Sequence, residues 1–318
     1  MKKVDSVVLQ QARRDFQQAC KNYYTKRKKG EKTSLKFKSK RNPKDSYRTL
    51  NNNYIKINGN RIRIPKVGWV KFKKSREVKG KIKNITVTRD ILGIYHISIT
   101  TEQDIPQKPK SDNEVGIDLG IKDFAIDSNG KKYFNPQYLR KYEEKLKKEQ
   151  RKLSRKKPGS SNYFKQRQRV FKIHEKIKNT REDFLHKLSS KIINDNQVII
   201  LEDLSIDNMR KNHKLAKSIS DVSWGKFARM LEYKADWYGR QFVKIDRFFP
   251  STKLCSSCGN KHEGLTLSQR WWTCSMCGIE HDRDVNAAKN VLHEGKKLLS
   301  GRADRSSSSS NGTTVPCW

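Results

Sequence analysis

Two hydrophobic periods alternate along this chain of 318 residues. In the opening stretch Val8, Leu9, Ala12, Phe16, Ala19 and Tyr23 recur at roughly helical intervals with Arg and Lys between them, which predicts a helix. Near Ser46 the texture changes to alternation. Tyr54-Ile55-Lys56-Ile57, Arg61-Ile62-Arg63-Ile64, Trp69-Val70-Lys71-Phe72, Ile82-Lys83-Asn84-Ile85-Thr86-Val87 and Ile94-Tyr95-His96-Ile97-Ser98-Ile99 each place apolar residues two apart. Such runs, separated by Asn58-Gly59, Val67-Gly68 and Leu92-Gly93 turns, predict antiparallel strands with one covered face.

Gln107 to Asn113 reads as a polar, Pro-containing linker, and Val115-Gly116-Ile117-Asp118 opens a second domain. Its first strand passes through a turn into Phe124-Ala125-Ile126, and Asn129-Gly130 predicts a hairpin. A basic helical region follows from about Gln137 to Asn194, interrupted by Pro158-Gly159-Ser160-Ser161, with Val170, Ile173, Ile177, Phe184, Leu188 and Ile192 on one face of its second half. Val198-Ile199-Ile200-Leu201-Glu202 is an apolar run ending in an acid, the pattern of a buried strand. Trp224 to Tyr238 predicts a helix, Phe242-Val243-Lys244-Ile245 a strand and Val285 to Leu299 a closing helix, while the Ser-rich tail 300–318 is expected to be disordered. No internal repeat is visible.

Charge adds a partner to this picture. The chain carries 71 Lys+Arg against 33 Asp+Glu, a formal net charge of +38. Residues 1–110 hold 30 Lys+Arg against 8 Asp+Glu, and residues 131–191 hold 21 against 6. An excess so one-signed calls for a polyanion, and nucleic acid is the usual one because phosphate contacts release condensed counterions. The start leads into no apolar stretch of a secretory signal, and no run approaches the ~20 apolar residues of a membrane span, so a cytoplasmic protein without membrane partners is expected.

Four of the six cysteines form Cys255-x2-Cys258 and Cys274-x2-Cys277, with 15 residues between the pairs. In a reducing compartment that spacing predicts two tight turns offering four thiolates to one tetrahedral Zn²⁺, closed to water and therefore structural. Cys20 and Cys317 read as ordinary thiols. Trp271 and Trp272 lie inside the knuckle, suited to packing around the metal or to stacking on a base. Three acids stand in unlike settings: Asp118 in Gly116-Ile117-Asp118-Leu119-Gly120, Glu202 in Leu201-Glu202-Asp203-Leu204, and Asp284 in Asp284-Val285-Asn286-Ala287-Ala288. Taken singly, each is open to a bland reading; Asp284, for one, is placed to cap the closing helix. Two of them end apolar strands, where an unpaired carboxylate is costly and a bound Mg²⁺ or Mn²⁺ removes the cost, so together they suggest a divalent-metal site for phosphodiester chemistry.

These motifs, in this order, resemble the TnpB (OrfB) proteins of insertion sequences. The resemblance implies an RNA-guided DNA nuclease with Asp118, Glu202 and Asp284 as catalytic acids holding Mg²⁺ or Mn²⁺ and the four cysteines as zinc ligands. It implies an α/β fold: an RNase H-like (RuvC) domain over 114–299 with a zinc element inserted at 251–281, after a strand-rich wedge-like module over 46–110 and part of a helical recognition module over 1–45. DNA and a guide RNA from the transposon end are the implied partners, and a prokaryotic, nucleoid-associated location follows. Relative to the family pattern this chain starts late. Two other readings stay open: a nucleic-acid-binding regulator or accessory transposition protein without cleavage, and strand transfer in place of hydrolysis.

Overall fold

The computed structural model describes residues 4–35, 45–266 and 269–307, and these fall into two compact units, residues 1–104 and 105–318. In the first, α1 (Ser6–Lys28) is capped by Asp5, whose carboxylate accepts from the Val7 backbone N–H at 3.0 Å. The strands β1 (Asp45–Leu50), β5 (Lys81–Arg89) and β6 (Tyr95–Glu102) form one antiparallel sheet in the order β1-β5-β6. A second small sheet has the order β2-β3-β4, from β2 (Ile57–Asn58), β3 (Arg61–Ile64) and β4 (Gly68–Lys71). Ile55, Ile62, Ile64, Ile85 and Val87 are buried together, as the alternation predicts. Tyr54 to Lys56, expected in a strand, precede the short β2.

The helix and the strands do not separate at residue 45. The Thr49 hydroxyl donates to Asp5 at 2.6 Å and Arg48 pairs with Asp15 at 2.8 Å, so α1 is fastened to β1 within one unit.

The second unit is built on a five-stranded sheet of order β11-β10-β7-β8-β9, comprising β7 (Glu114–Leu119), β8 (Asp123–Asp127), β9 (Lys132–Phe134), β10 (Val198–Glu202) and β11 (Gln241–Ile245). The pairs β7–β10 and β10–β11 are parallel, and β7–β8 and β8–β9 antiparallel. Two long helices, α2 (Tyr138–Ser154) and α3 (Ser161–Asp195), pack through Leu146, Val170, Ile173 and Ile177. The short helices α4 (Ile206–Met209) and α5 (His213–Val222) were not expected, although Leu215, Ile219 and Val222 of α5 recur at helical intervals. After them come α6 (Trp224–Tyr238), the hairpin β12 (Trp271–Thr273) and β13 (Glu280–Asp282), and α7 (Arg283–Ser307).

Strand alternation sorts the core into two layers. Val115, Ile117, Ile199 and Leu201 pack with Leu185, Leu188 and Ile192 of α3 and Phe227 and Leu231 of α6. The intervening Val198 and Ile200 pack on the opposite face with Val243, Ile245 and Val291 of α7. Covered on both sides, β10 has no polar residue before Glu202. The helix α7 lies very close to this second face, since a Cβ on Gly116 would meet the Ala288 carbonyl oxygen at 2.3 Å and the Leu292 nitrogen at 2.5 Å.

The linker over 107–113 is held to this unit. Lys108 N–H donates to Tyr238 O at 3.2 Å, and the buried Arg240 donates to Pro109 O at 2.8 Å. The disordered tail expected from Ser300 needs correcting, because α7 runs on to Ser307, its turns continuing the hydrogen-bonded helix past Leu299. Residues 308–318, with Cys317, lie outside the described residues. Among the described residues no helix is long and apolar enough to cross a membrane.

Candidate functional site

Parity along the strands decides where the first two acids emerge. Asp118 continues the series of Gly116, and Glu202 that of Val198 and Ile200, so both leave the sheet on the α7 face. The parallel register pairs Ile117 with Leu201, which places Asp118 and Glu202 one residue further along two adjacent strands. Asp284 comes from the first turn of α7 on the same face. It is not the cap. The Asp282 carboxylate accepts from the Asp284 N–H at 3.0 Å and the Val285 N–H at 3.4 Å, and Lys132 holds Asp282 at 2.8 Å. Capping is thus done two residues earlier, and the Asp284 side chain is left for another role.

Asp118 senses both of the other acids. Burial, then the Asp284 and Glu202 carboxylates, push Asp118 up to about 8 against the pull of Arg283. Burial pushes Glu202 up to about 7. Asp284 instead meets two guanidinium groups, Arg270 at 2.6 Å and Arg283 at 3.0 Å. The three acids do not form a group whose oxygens all lie within 4.8 Å of one another, as the four cysteine sulfurs do. A pair of ions about 3.5–4 Å apart needs no such contact, because each ion takes its own share of the carboxylates.

Asp118 and Asp284 line a cavity of about 530 Å³ together with Lys122, Lys253, Arg270 and Arg283. Leu119, Ile121, Met209 and Trp224 supply its apolar wall. With Asp123 also in the lining, four cations stand around three carboxylates, which suits an anionic chain whose phosphate must approach acids.

The four cysteines converge, as their spacing predicts. All four sulfurs lie within 4.8 Å of one another, with Cys255–Cys277 and Cys258–Cys274 each at 3.6 Å. Thiolates about 2.3 Å from a central ion stand about 3.8 Å apart at tetrahedral angles, so this donor set fits a soft tetrahedral ion. Backbone N–H groups of Cys277 and Met276 hold Cys274 down at about 6, against burial. Cys258, despite the Asn260 N–H, is pushed up to about 12 by desolvation and the sulfurs around it. Four thiols this close cannot all ionise without a cation to carry the charge. Trp272 is buried against Cys255 and Cys274, whereas Trp271 is exposed.

Several residues that the sequence did not single out join these parts. The Asn286 amide donates to Leu254 O at 2.7 Å while its oxygen accepts from Ser256 N–H at 2.9 Å. Asn290 donates to Ser251 O at 2.8 Å and Leu254 O at 2.6 Å. One face of α7 therefore grips the first cysteine turn, and the i, i+4 spacing of the two asparagines was the available signal. His281, buried, stands 3.1 Å from Cys255 Sγ through its Nε2.

Comparison with known proteins adds a lineage. A family model described as "Probable transposase" matches residues 96–213, and one described as "Cas12f1-like, TNB domain" matches residues 224–291. A Streptomyces pristinaespiralis protein named "Putative RNA-guided DNA endonuclease" is 40% identical over 297 residues, covering 93% of this chain and 73% of that protein. The Escherichia coli (strain K12) protein "Putative RNA-guided DNA endonuclease InsQ" is 33% identical over 316 residues, covering 94% of this chain and 77% of that protein. A chain in a structure titled "Cryo-EM structure of the Cas12f1-sgRNA-target DNA complex" aligns at 17% identity and a TM-score of 0.41, over 81% of this chain and 68% of that one.

Proposed function

The chain belongs to the TnpB (OrfB) family, and from that membership we propose that it is an RNA-guided, divalent-metal-dependent DNA endonuclease encoded by an insertion sequence. The observation that carries the reading is the meeting, on the α7 face of one sheet, of three acids 84 and 82 residues apart in sequence (202 − 118 and 284 − 202). Sheet order supports an RNase H-like core over 114–299: three antiparallel strands β9-β8-β7 continued by two parallel ones, β10 and β11, with the zinc element over 251–281 inserted before α7. The basic strand-rich unit ahead of it is a surface for the guide RNA and DNA.

In this reading Asp118, Glu202 and Asp284 hold Mg²⁺ or Mn²⁺. When bound, a pair of such ions supplies an activated water and stabilises the leaving oxygen of the phosphodiester. Asp118 and Glu202 give up their protons to serve as ligands, since burial holds both acids partly protonated near neutral pH. Arg270 and Arg283 orient the Asp284 carboxylate, and Lys122 and Lys253 draw the strand's phosphates into the cavity. Cys255, Cys258, Cys274 and Cys277 hold Zn²⁺ with no position left for water, so that ion fixes the loop from which Lys253 and Arg270 project.

The test is cleavage by purified protein with the RNA of its own element on DNA matching the guide, in Mg²⁺. Wild type cuts; Asp118→Ala, at equal RNA occupancy, does not. Undiminished cutting by that variant refutes the assignment.

A further inference from the structure

Four thiolates on a dication leave two net negative charges at a site where Cys255 and Cys274 are buried and Cys258 and Cys277 exposed, and each hydrogen bond donated to a sulfur relieves part of that charge. Three of the sulfurs draw backbone donors: Cys274 from Cys277 and Met276, Cys258 from Asn260, and Cys277 from Ile279. Cys255, which is buried, faces a side chain, with His281 Nε2 at 3.1 Å.

The imidazole is held in place for this contact. His281 pairs with Trp272 across the β12–β13 hairpin, and the Trp272 ring lies 4.8 Å from the imidazole at an interplanar angle of 39°. Trp272 also carries the His262 ring, stacked at 5.3 Å and 19°. A ring so packed cannot turn away without emptying the space beside the buried Trp272.

We propose that His281 is a positioning residue for the metal cluster: its Nε2–H donates to the Cys255 thiolate and fastens β13 to the ion. The inference rests on the four-sulfur Zn²⁺ site proposed above. Its consequence reaches the acids, because His281 is followed directly by the helix cap Asp282, then Arg283 and Asp284. Arg283 N–H is itself bonded to Arg270 O at 2.8 Å, on the strand side of the zinc hairpin. The hydrogen bond from His281 thus joins zinc retention to the place where α7 presents Asp284.

Two variants of the full chain separate donation from packing. His281→Phe keeps an aromatic ring against Trp272 and removes the N–H; His281→Gln restores a donor without the ring. Zn²⁺ affinity, measured by competition with a colorimetric chelator, is expected to weaken about 10–100-fold in the Phe variant and to recover most of the loss in the Gln variant. Equal affinities in wild type and His281→Phe overturn the inference. A second measurement needs no variant: wild type loaded with NMR-active cadmium should show scalar coupling between the metal and the His281 Hε2 proton across the Cys255 sulfur. Cadmium bound by four sulfurs without that coupling overturns the hydrogen bond alone. Failure of wild type to take up Zn²⁺ or Cd²⁺ overturns the four-sulfur site and this inference with it.

Discussion

Gly116 is the position where one added methyl group tests how the acids are assembled. Its Cβ would stand 2.3 Å from the Ala288 carbonyl oxygen, 2.5 Å from the Leu292 nitrogen and 2.8 Å from the Leu292 Cβ, against an ordinary contact of 3.4 Å or more. Relief therefore requires α7 to retreat by about 1 Å (3.4 − 2.3), and the obstructing atoms are mostly backbone, which cannot swing aside as a flexible side chain does. The other end of the same contact resists as well, since Gly295 of α7 approaches the Ile200 side chain so closely that a Cβ there would meet it at 2.4 Å. Overpacking of a dense core costs about 1–3 kcal/mol, and Gly116→Ala is expected at or above the upper end. The retreat carries Asp284 away from Asp118, and a misplacement of about 1 Å can cost about 10²-fold in rate. Urea denaturation with Zn²⁺ present reads the first effect, and Mg²⁺-dependent cleavage at fixed RNA occupancy the second. Gly264→Ala is the control, because only a His262 side-chain atom at 3.8 Å lies near its Cβ position. A Gly116→Ala protein that melts at the wild-type urea concentration and cuts at the wild-type rate would refute the claim that close α7 packing sets the site.

The remaining predictions follow from burial and hydrogen bonding. Without divalent metal, Asp118 sits at about 8 and Glu202 at about 7 in the folded chain, above their ordinary values of 3.8 and 4.5, so the folded state holds more protons than the unfolded. Metal-free stability should therefore be greatest below about pH 4 as far as these groups are concerned and fall through pH 5–8, by up to about 1.4 kcal/mol per pH unit for each group, and Asp118→Asn should flatten the slope. Urea midpoints in EDTA across that range check this; a rising curve from these two groups contradicts it. Asn290→Ala strips a donor from the Ser251 and Leu254 carbonyls and should cost about 1–3 kcal/mol in thermal or urea unfolding, with faster Zn²⁺ loss to a chelator. Asp282→Ala removes the α7 cap and the Lys132 partner, a loss of about 1 kcal/mol expected in the same unfolding assay.

Much of the second unit was readable in order. The apolar run ending at Glu202, the Trp224–Tyr238 helix and the twin CxxC turns appear where local pattern puts them, because each is specified by neighbours within a few residues: burial on both faces, helical period, thiolate spacing. The same locality explains α7, whose beginning was legible from its apolar period but whose extent past Ser300 was not, the Ser-Gly-Arg sequence there being a poor guide to where hydrogen bonding stops.

What local pattern could not decide were choices between equivalent groups that only long-range packing distinguishes. Asp282 and Asp284 are both placed to cap α7; the cap went to Asp282, held by Lys132 from 150 residues away, and this is what frees Asp284 for Arg270, Arg283 and the cavity. His281 carries no spacing that announces a role, and the two asparagines only their i, i+4 repeat; all three acquire one because the hairpin β12–β13 and the first cysteine turn are folded against α7. By itself the chain's amino-acid order determined most of the strands, the long helices, the basic charge and the four sulfurs of the knuckle. Tertiary structure decided that Asp118, Glu202 and Asp284 share one face of the sheet, because strand register and the depth of a helix on that sheet are set by contacts between residues far apart along the chain.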